Sequence, residues 1–277
     1  MKRIKRKIKW KNVFLISFML ICIIVFINNI TSIIKWKINS TKTVNQINKI
    51  QNIVNIEEIQ NNDFVEIIEN EETIEETNPY WDYMKMNLIN VNFNELKKIN
   101  SSTIGWIQIN GTNINYPFVQ TKDNDYYLTH SFDKTWNASG WLFLDYRNNM
   151  YTDKNIIIYG HSMKDKTMFG SLTNILKNEW IKDSNNHIIK LSTEKENSLW
   201  QIFSAYHIPT TTDYLKTTFN TTVGFLNFGN MLKERSLYNF NTTINENTRI
   251  LTLSTCYNEK EKMVIHAKLL KKEIKPN

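Results

Sequence analysis

The sequence predicts a mainly β domain with added helices, in which eight short strands close into a barrel. Two observations carry this reading. From Gly105 onward, apolar and β-branched runs of four to eight residues recur between polar turns, the spacing of a small closed barrel. Helical periodicity is confined to residues 80–100, 168–181 and about 222–236, with the last two inserted between strands. A hydrophobic fraction of 41% with 12% aromatics supports a real core and excludes wholesale disorder.

The chain of 277 residues opens on a basic segment, 1–12, with seven Lys or Arg and no acid. The net charge of +7 belongs to that block: the remaining chain has 27 basic and 27 acidic residues (34 minus seven, against 27). A nucleic-acid footprint would be spread over a folded face, so no nucleic-acid partner is expected. Residues 13–34 follow as an apolar stretch of 22 residues flanked by Trp10 and Trp36. As a helix it is roughly 33 Å long, enough for a hydrocarbon core of about 30 Å. It reads as an uncleaved transmembrane anchor, since no small-x-small cleavage pattern follows it. The positive-inside rule keeps the N-terminus cytoplasmic and sends the rest outside.

Residues 35–78 read as an acidic extracellular linker. From Gln51 to Asn78 there are nine acids and no Lys or Arg, and like charges at this density favour a solvated stalk. Asn78-Pro79 marks the boundary of the folded domain, 79–277. Residues 80–100 read as helical, with Asn92 as an N-cap and Glu95 three residues on.

The eight strand runs begin at Trp106, Ile114, Gly140, Asn155, His187, Leu199, Arg249 and Met263. One of them, Arg249–Cys256, ends on a cysteine. The cysteines are Cys22, within the apolar stretch, and Cys256, so Cys256 has no intrachain partner in the exported part. A lone thiol in an oxidising compartment is a liability unless it acts. It sits where a strand gives way to the loop Tyr257–Glu261, a rigid and open place for a nucleophile. Such a nucleophile needs a proton partner, ordinarily a histidine. Of the five, His161 follows the apolar strand Ile156–Tyr159 and Gly160, again at a strand end, whereas His130, His187, His207 and His266 lie in turns or within strands. An oxyanion would also need a donor. Arg147, Arg235 and Arg249 all precede Cys256, and Lys262 is the cation at the start of the next strand.

Tyr159-Gly-His-Ser-Met163 and Thr252-Leu-Ser-Thr-Cys256, in that order, resemble the two signature motifs of sortases. Gly105-Trp-Ile, Gly111-Thr-Asn-Ile-Asn-Tyr-Pro117, Leu144-Asp-Tyr-Arg-Asn148, Phe203-Ser-Ala-Tyr206 and Val264–Lys268, with the long insertion after Tyr214, make the chain similar to class B sortases over about residues 90–272. The resemblance implies an eight-stranded sortase barrel with N-terminal helices and a helix inserted before the cysteine strand. It implies a membrane-anchored cysteine transpeptidase on a Gram-positive-type cell surface. Such an enzyme cleaves an Asn-Pro-x-Thr-type sorting signal after Thr, through a thioester on Cys256 with His161 as acid and base. It passes the protein to an amine of peptidoglycan or its lipid-linked precursor.

The expected partners are a surface protein bearing the sorting signal, that acceptor, and the membrane through the N-terminal helix; no cofactor or metal is expected. By motif, the substrate contacts fall at Asn124, Leu128, Thr210, Tyr214, Leu215 and Ser254. The family carries an arginine where this chain has Lys262. Lysine keeps the charge and loses the planar fork. Two further readings are a pilus-building sortase and a module that binds sorting signals with weak turnover. A papain-like protease places Cys before His, whereas here His161 precedes Cys256 by 95 residues.

Overall fold

Strand runs that alternate an inward apolar residue with an outward one pair here into a sheet that closes on itself. The computed structural model describes residues 10–60, 65–67, 80–258 and 260–276. Contacts divide it into two units, one through Lys42 and one from Thr43 onward. The first is the leading part of helix α1 (Trp10–Ile53), with side chains such as Phe14 and Phe26 exposed. By length and composition this helix could cross a membrane.

The second unit starts with the last turns of α1, whose Ile47 and Ile50 are buried. Strands β1 (Ile56–Ile59) and β2 (Val65–Ile67), helix α2 (Tyr80–Lys85), strand β3 (Leu88–Val91) and helix α3 (Asn94–Ile99) follow. Then come β4 (Thr103–Ile109), β5 (Asn115–Val119), β6 (Phe143–Leu144), β7 (Asn155–Tyr159), helix α4 (Asn178–Lys182), β8 (Ile188–Thr193) and β9 (Glu196–Pro209). Helix α5 (Thr222–Glu234), β10 (Ile250–Cys256) and β11 (Glu261–Ile274) complete it. Among the described residues, eight strands form the ring, in the order β10-β7-β6-β5-β4-β8-β9-β11 and back to β10. This is the closed eight-stranded barrel the sequence predicts, and closure leaves no unpaired edge. Leu251, Leu253, Ile265 and Ala267 belong to its main core. The opposite face of the same strands, with Ile250 and Val264, packs with Phe203, Tyr206 and Tyr214 against Phe225, Phe228 and Leu232 of α5.

Two expectations are corrected in the N-terminal part. Residues 80–100 are not continuously helical. Lys271 Nζ donates to the carbonyls of Met84 (2.8 Å) and Met86 (2.7 Å), satisfying the chain where α2 stops. Leu88–Val91 then pairs as β3 with β1. The acidic stretch is not wholly a stalk either. Besides the α1 turns and β1, residues 65–67 add to the end of β11 as β2. Its charges meet opposite ones, with Glu58 3.9 Å from Lys190 and Glu66 3.3 Å from Lys272. The predicted boundary at Asn78-Pro79 and residues 1–9 of the basic segment lie outside the described residues.

Candidate active site

β7 and β10 run parallel, with Ser254 beside Tyr159, and the Gly160 amide still donates to the Ser254 carbonyl at 3.4 Å. His161 follows two residues after the end of β7 and Cys256 two residues after Ser254, and both side chains line the same cavity. β10 and β11 run antiparallel, and Cys256 pairs with Lys262. Two short motifs and a strand start thus meet at one rim because the barrel places their strands side by side.

Lys262 Nζ lies 3.2 Å from Cys256 Sγ, and the thiol is exposed. His161 Nε2 is 2.8 Å from the Leu128 carbonyl. A carbonyl only accepts, so Nε2 carries the proton, and in the neutral ring the lone pair is at Nδ1. Gly140 makes this approach possible. It has a φ of +57°, and a Cβ there would lie 2.3 Å from the Tyr127 carbonyl and 2.9 Å from that of Leu128. Gly160 is needed for space as well, since a Cβ would come within 2.3 Å of the Leu142 side chain. The His161 carbonyl accepts from the Phe169 amide at 2.9 Å, fixing the backbone behind the ring.

All nine residues singled out from the sequence line one cavity of about 460 Å³. Asn124 is oriented by the Tyr146 amide, which donates to its Oδ1 at 3.0 Å. Leu215 is held by its carbonyl, which accepts from Arg147 Nη2 at 3.1 Å. Tyr214 OH and Ser254 Oγ are 3.0 Å apart, and Tyr214 is buried. Thr210 is tied through its amide to the Lys260 carbonyl at 3.2 Å, joining it to the loop after Cys256.

Residues that the sequence reading did not single out also line the cavity, among them Phe143, Tyr159, Thr211 and Thr212. Tyr159 was recoverable, because it lies two residues before His161 and so on the same face. Its hydroxyl donates to Asp145 Oδ2 at 2.9 Å. Asp145 is fully buried and receives Arg147 in a two-pronged pair, Nε to Oδ1 at 2.9 Å and Nη2 to Oδ2 at 2.7 Å. Burial alone would raise the Asp145 pKa, but the hydrogen bonds from Arg147 and Tyr159 together outweigh it and hold the carboxyl below its usual range. Burial, reinforced by the Asp145 charge, pushes the Tyr159 phenol up. The Tyr257 ring stacks on His207 at 4.6 Å, and His207 Nδ1 is 3.1 Å from Glu261, the residue before Lys262 at the start of β11.

His266, which the sequence places within a strand, is fully buried. Burial, with the nearby Arg235 charge, lowers its pKa to about 3.

The Sortase domain family model matches residues 107–270. Sortase B of Listeria monocytogenes is 38% identical over 183 residues, covering 64% of this chain and 74% of the relative. Sortase B of Staphylococcus aureus is 35% identical over 184 residues, covering 65% and 75%. Among solved structures, a Staphylococcus aureus sortase B–substrate complex matches at TM-score 0.61 and 35% identity, over 65% of this chain and 84% of that one. Bacillus anthracis sortase B in complex with AAEK1 matches at TM-score 0.60 and 37% identity, over 65% and 84%. The cavity at the cysteine rim, the closed barrel and these likenesses converge: the chain belongs to the sortase family of cysteine transpeptidases, and within it to class B.

Proposed function

We propose that this chain is a membrane-anchored transpeptidase that cleaves an Asn-Pro-x-Thr-type signal after Thr and joins the protein to a peptidoglycan amine. Cys256 is the nucleophile, His161 the acid and base, and Lys262 the oxyanion donor. The observation that carries the reading is the Lys262–Cys256 contact of 3.2 Å in the cavity that His161 also lines. An ammonium at that distance has donor hydrogens to offer an oxyanion forming beside the sulfur.

Cys256 Sγ gives its proton to His161, making the imidazolium, and attacks the Thr carbonyl, whose electron pair moves onto oxygen. When the oxyanion collapses, the peptide C–N bond breaks and the leaving amine takes a proton from the His161 imidazolium. The thioester remains on Cys256. The acceptor amine then attacks that carbonyl and gives its proton to His161, and the C–S bond breaks as the new amide forms. Asn124, Leu128, Thr210, Tyr214, Leu215 and Ser254 receive the signal peptide. The Lys262 contact also argues against a module without turnover. The apolar stretch 13–34 holds the enzyme at the membrane of a Gram-positive-type cell, the acidic residues beyond it lying on the outer side.

The test is intact-mass spectrometry of the protein with an Asn-Pro-x-Thr peptide. A mass increase equal to the acyl fragment, lost on adding a peptide amine with release of the ligated product, is expected. No adduct, together with no cleavage in the presence of the amine, sinks the reading.

A further inference from the structure

One buried titratable group takes no part in the chemistry above. His266 pairs with Thr252 in the β10–β11 register, four residue pairs below the Cys256–Lys262 pair and on the same face of the wall. Both of its nitrogens are engaged. Nδ1 is 2.9 Å from Thr252 Oγ1 and Nε2 is 2.9 Å from Tyr206 OH.

The direction of each bond follows from the next. Asn155 Nδ2 donates to the carbonyls of Tyr214 (3.3 Å) and Lys216 (2.8 Å), so its Oδ1 is the acceptor for Thr252 Oγ1 at 2.6 Å. With its proton committed there, Thr252 accepts from His266, which places the ring proton on Nδ1 and leaves Nε2 to accept from Tyr206. Arg235, whose guanidinium forks onto Asp213, sets its positive charge beside Tyr206 and His266. The donor chain runs from Tyr206 to the carbonyls of Tyr214 and Lys216, with Asp213 as a separate acceptor of Arg235. Together these bonds bracket the four-residue segment Asp213–Lys216 that gives Tyr214 and Leu215 to the cavity. The His266 ring also meets the Tyr214 ring edge-on, with centroids 6.4 Å apart.

We infer that His266 is a positioning residue that, through this one-directional hydrogen-bond chain, pre-forms the Tyr214–Leu215 wall for the signal peptide. Neutral imidazole is the form the chain requires, and burial keeps it so. A partly satisfied buried network is worse than a complete one, so loss of any link loosens the segment. The binding consequence rests on the proposed function; the order of the wall does not.

The experiment uses Tyr206→Phe, which deletes one hydroxyl and keeps the ring, with His266→Gln and His266→Leu. In Tyr206→Phe, amide exchange across residues 213–216 should accelerate about tenfold or more, while strands on the far side of the barrel keep their protection. With peptide, KM should rise about five- to twentyfold with kcat within about twofold, and His266→Gln, which can still donate and accept, should recover more of the loss than His266→Leu. If His266→Leu does not fold, Tyr206→Phe and Arg235→Lys decide. Unchanged exchange at 213–216 in folded Tyr206→Phe overturns the inference, as does a loss that falls in kcat alone. If the wild type does not turn the peptide over, the functional reading fails and the exchange result still judges the network.

Discussion

The outward face of β7, β10 and β11 carries two histidines in opposite circumstances. At the rim, His161 is partly exposed and lines the cavity, with one nitrogen on the Leu128 carbonyl. Four residue pairs below the rim, His266 is sealed under Phe203, Tyr206 and Tyr214 with both nitrogens occupied. A group whose pKa is near 3 does not exchange protons at neutral pH, and one with no free edge meets no substrate. The same side chain therefore serves chemistry at an open strand end and structure inside the wall. Depth along the strand, rather than residue type, separates the two.

The sharpest break between rim and wall is at Cys256. Cys256→Ala should abolish adduct formation and cleavage while shifting stability by less than about 0.5 kcal/mol, since an exposed thiol leaves no cavity. Retained cleavage at a comparable rate removes Cys256 as nucleophile. His161→Ala should lower kcat by roughly a hundred- to ten-thousandfold, the range of a general acid–base, whereas His266→Ala should act on KM. Equal kcat losses in two folded variants would erase the distinction between rim and wall.

Lys262 sharpens the comparison within the rim itself. Losing one oxyanion donor costs about 2.7–4 kcal/mol, roughly a hundred- to a thousandfold in kcat. Lys262→Ala should lose that much with peptide affinity changed less, and Lys262→Arg should keep activity, its fork offering more donors than an ammonium. Steady-state kinetics on one peptide decide it. An Ala variant within threefold of wild type leaves backbone amides as the donors.

The rim was legible because its information is local. Each motif is a strand that stops, with alternation fixing the face and a polar loop marking the end. All eight barrel strands were visible for the same reason. The N-terminal strands were not. The acids of 51–78 read as mutually repelling because the residues that answer them, Lys190 and Lys272, lie more than 100 positions away in the chain. β3 looked helical because α2 and α3 flank it closely, and its partner β1 sits in that same acidic stretch. The role of His266 was hidden too. Its partners come from β9 and β10, and the charge beside it from the residue just after α5, so no local pattern points to it.

That missed region supplies the prediction with the smallest effect on turnover. Starting the chain at Asn78 instead of Thr43 deletes Ile47 and Ile50, which are 8% and 2% exposed, the Thr43 hydroxyl that accepts from Asn137 at 2.9 Å, and strands β1 and β2. Full burial of an Ile is worth about 1.5–3 kcal/mol, and the lost chain entropy offsets part of it. The Glu58 and Glu66 pairs add little, because both carboxylates are more than half exposed. A net loss of about 2–4 kcal/mol would lower Tm by roughly 4–16 °C for a domain of this size. None of the deleted residues lines the cavity, so kcat/KM at 25 °C should stay within about twofold. Thermal melts and kinetics of the two chains side by side separate the possibilities. Equal Tm values would return the stretch to a spacer, and a large loss of activity in a folded short chain would mean that it acts on the rim from a distance.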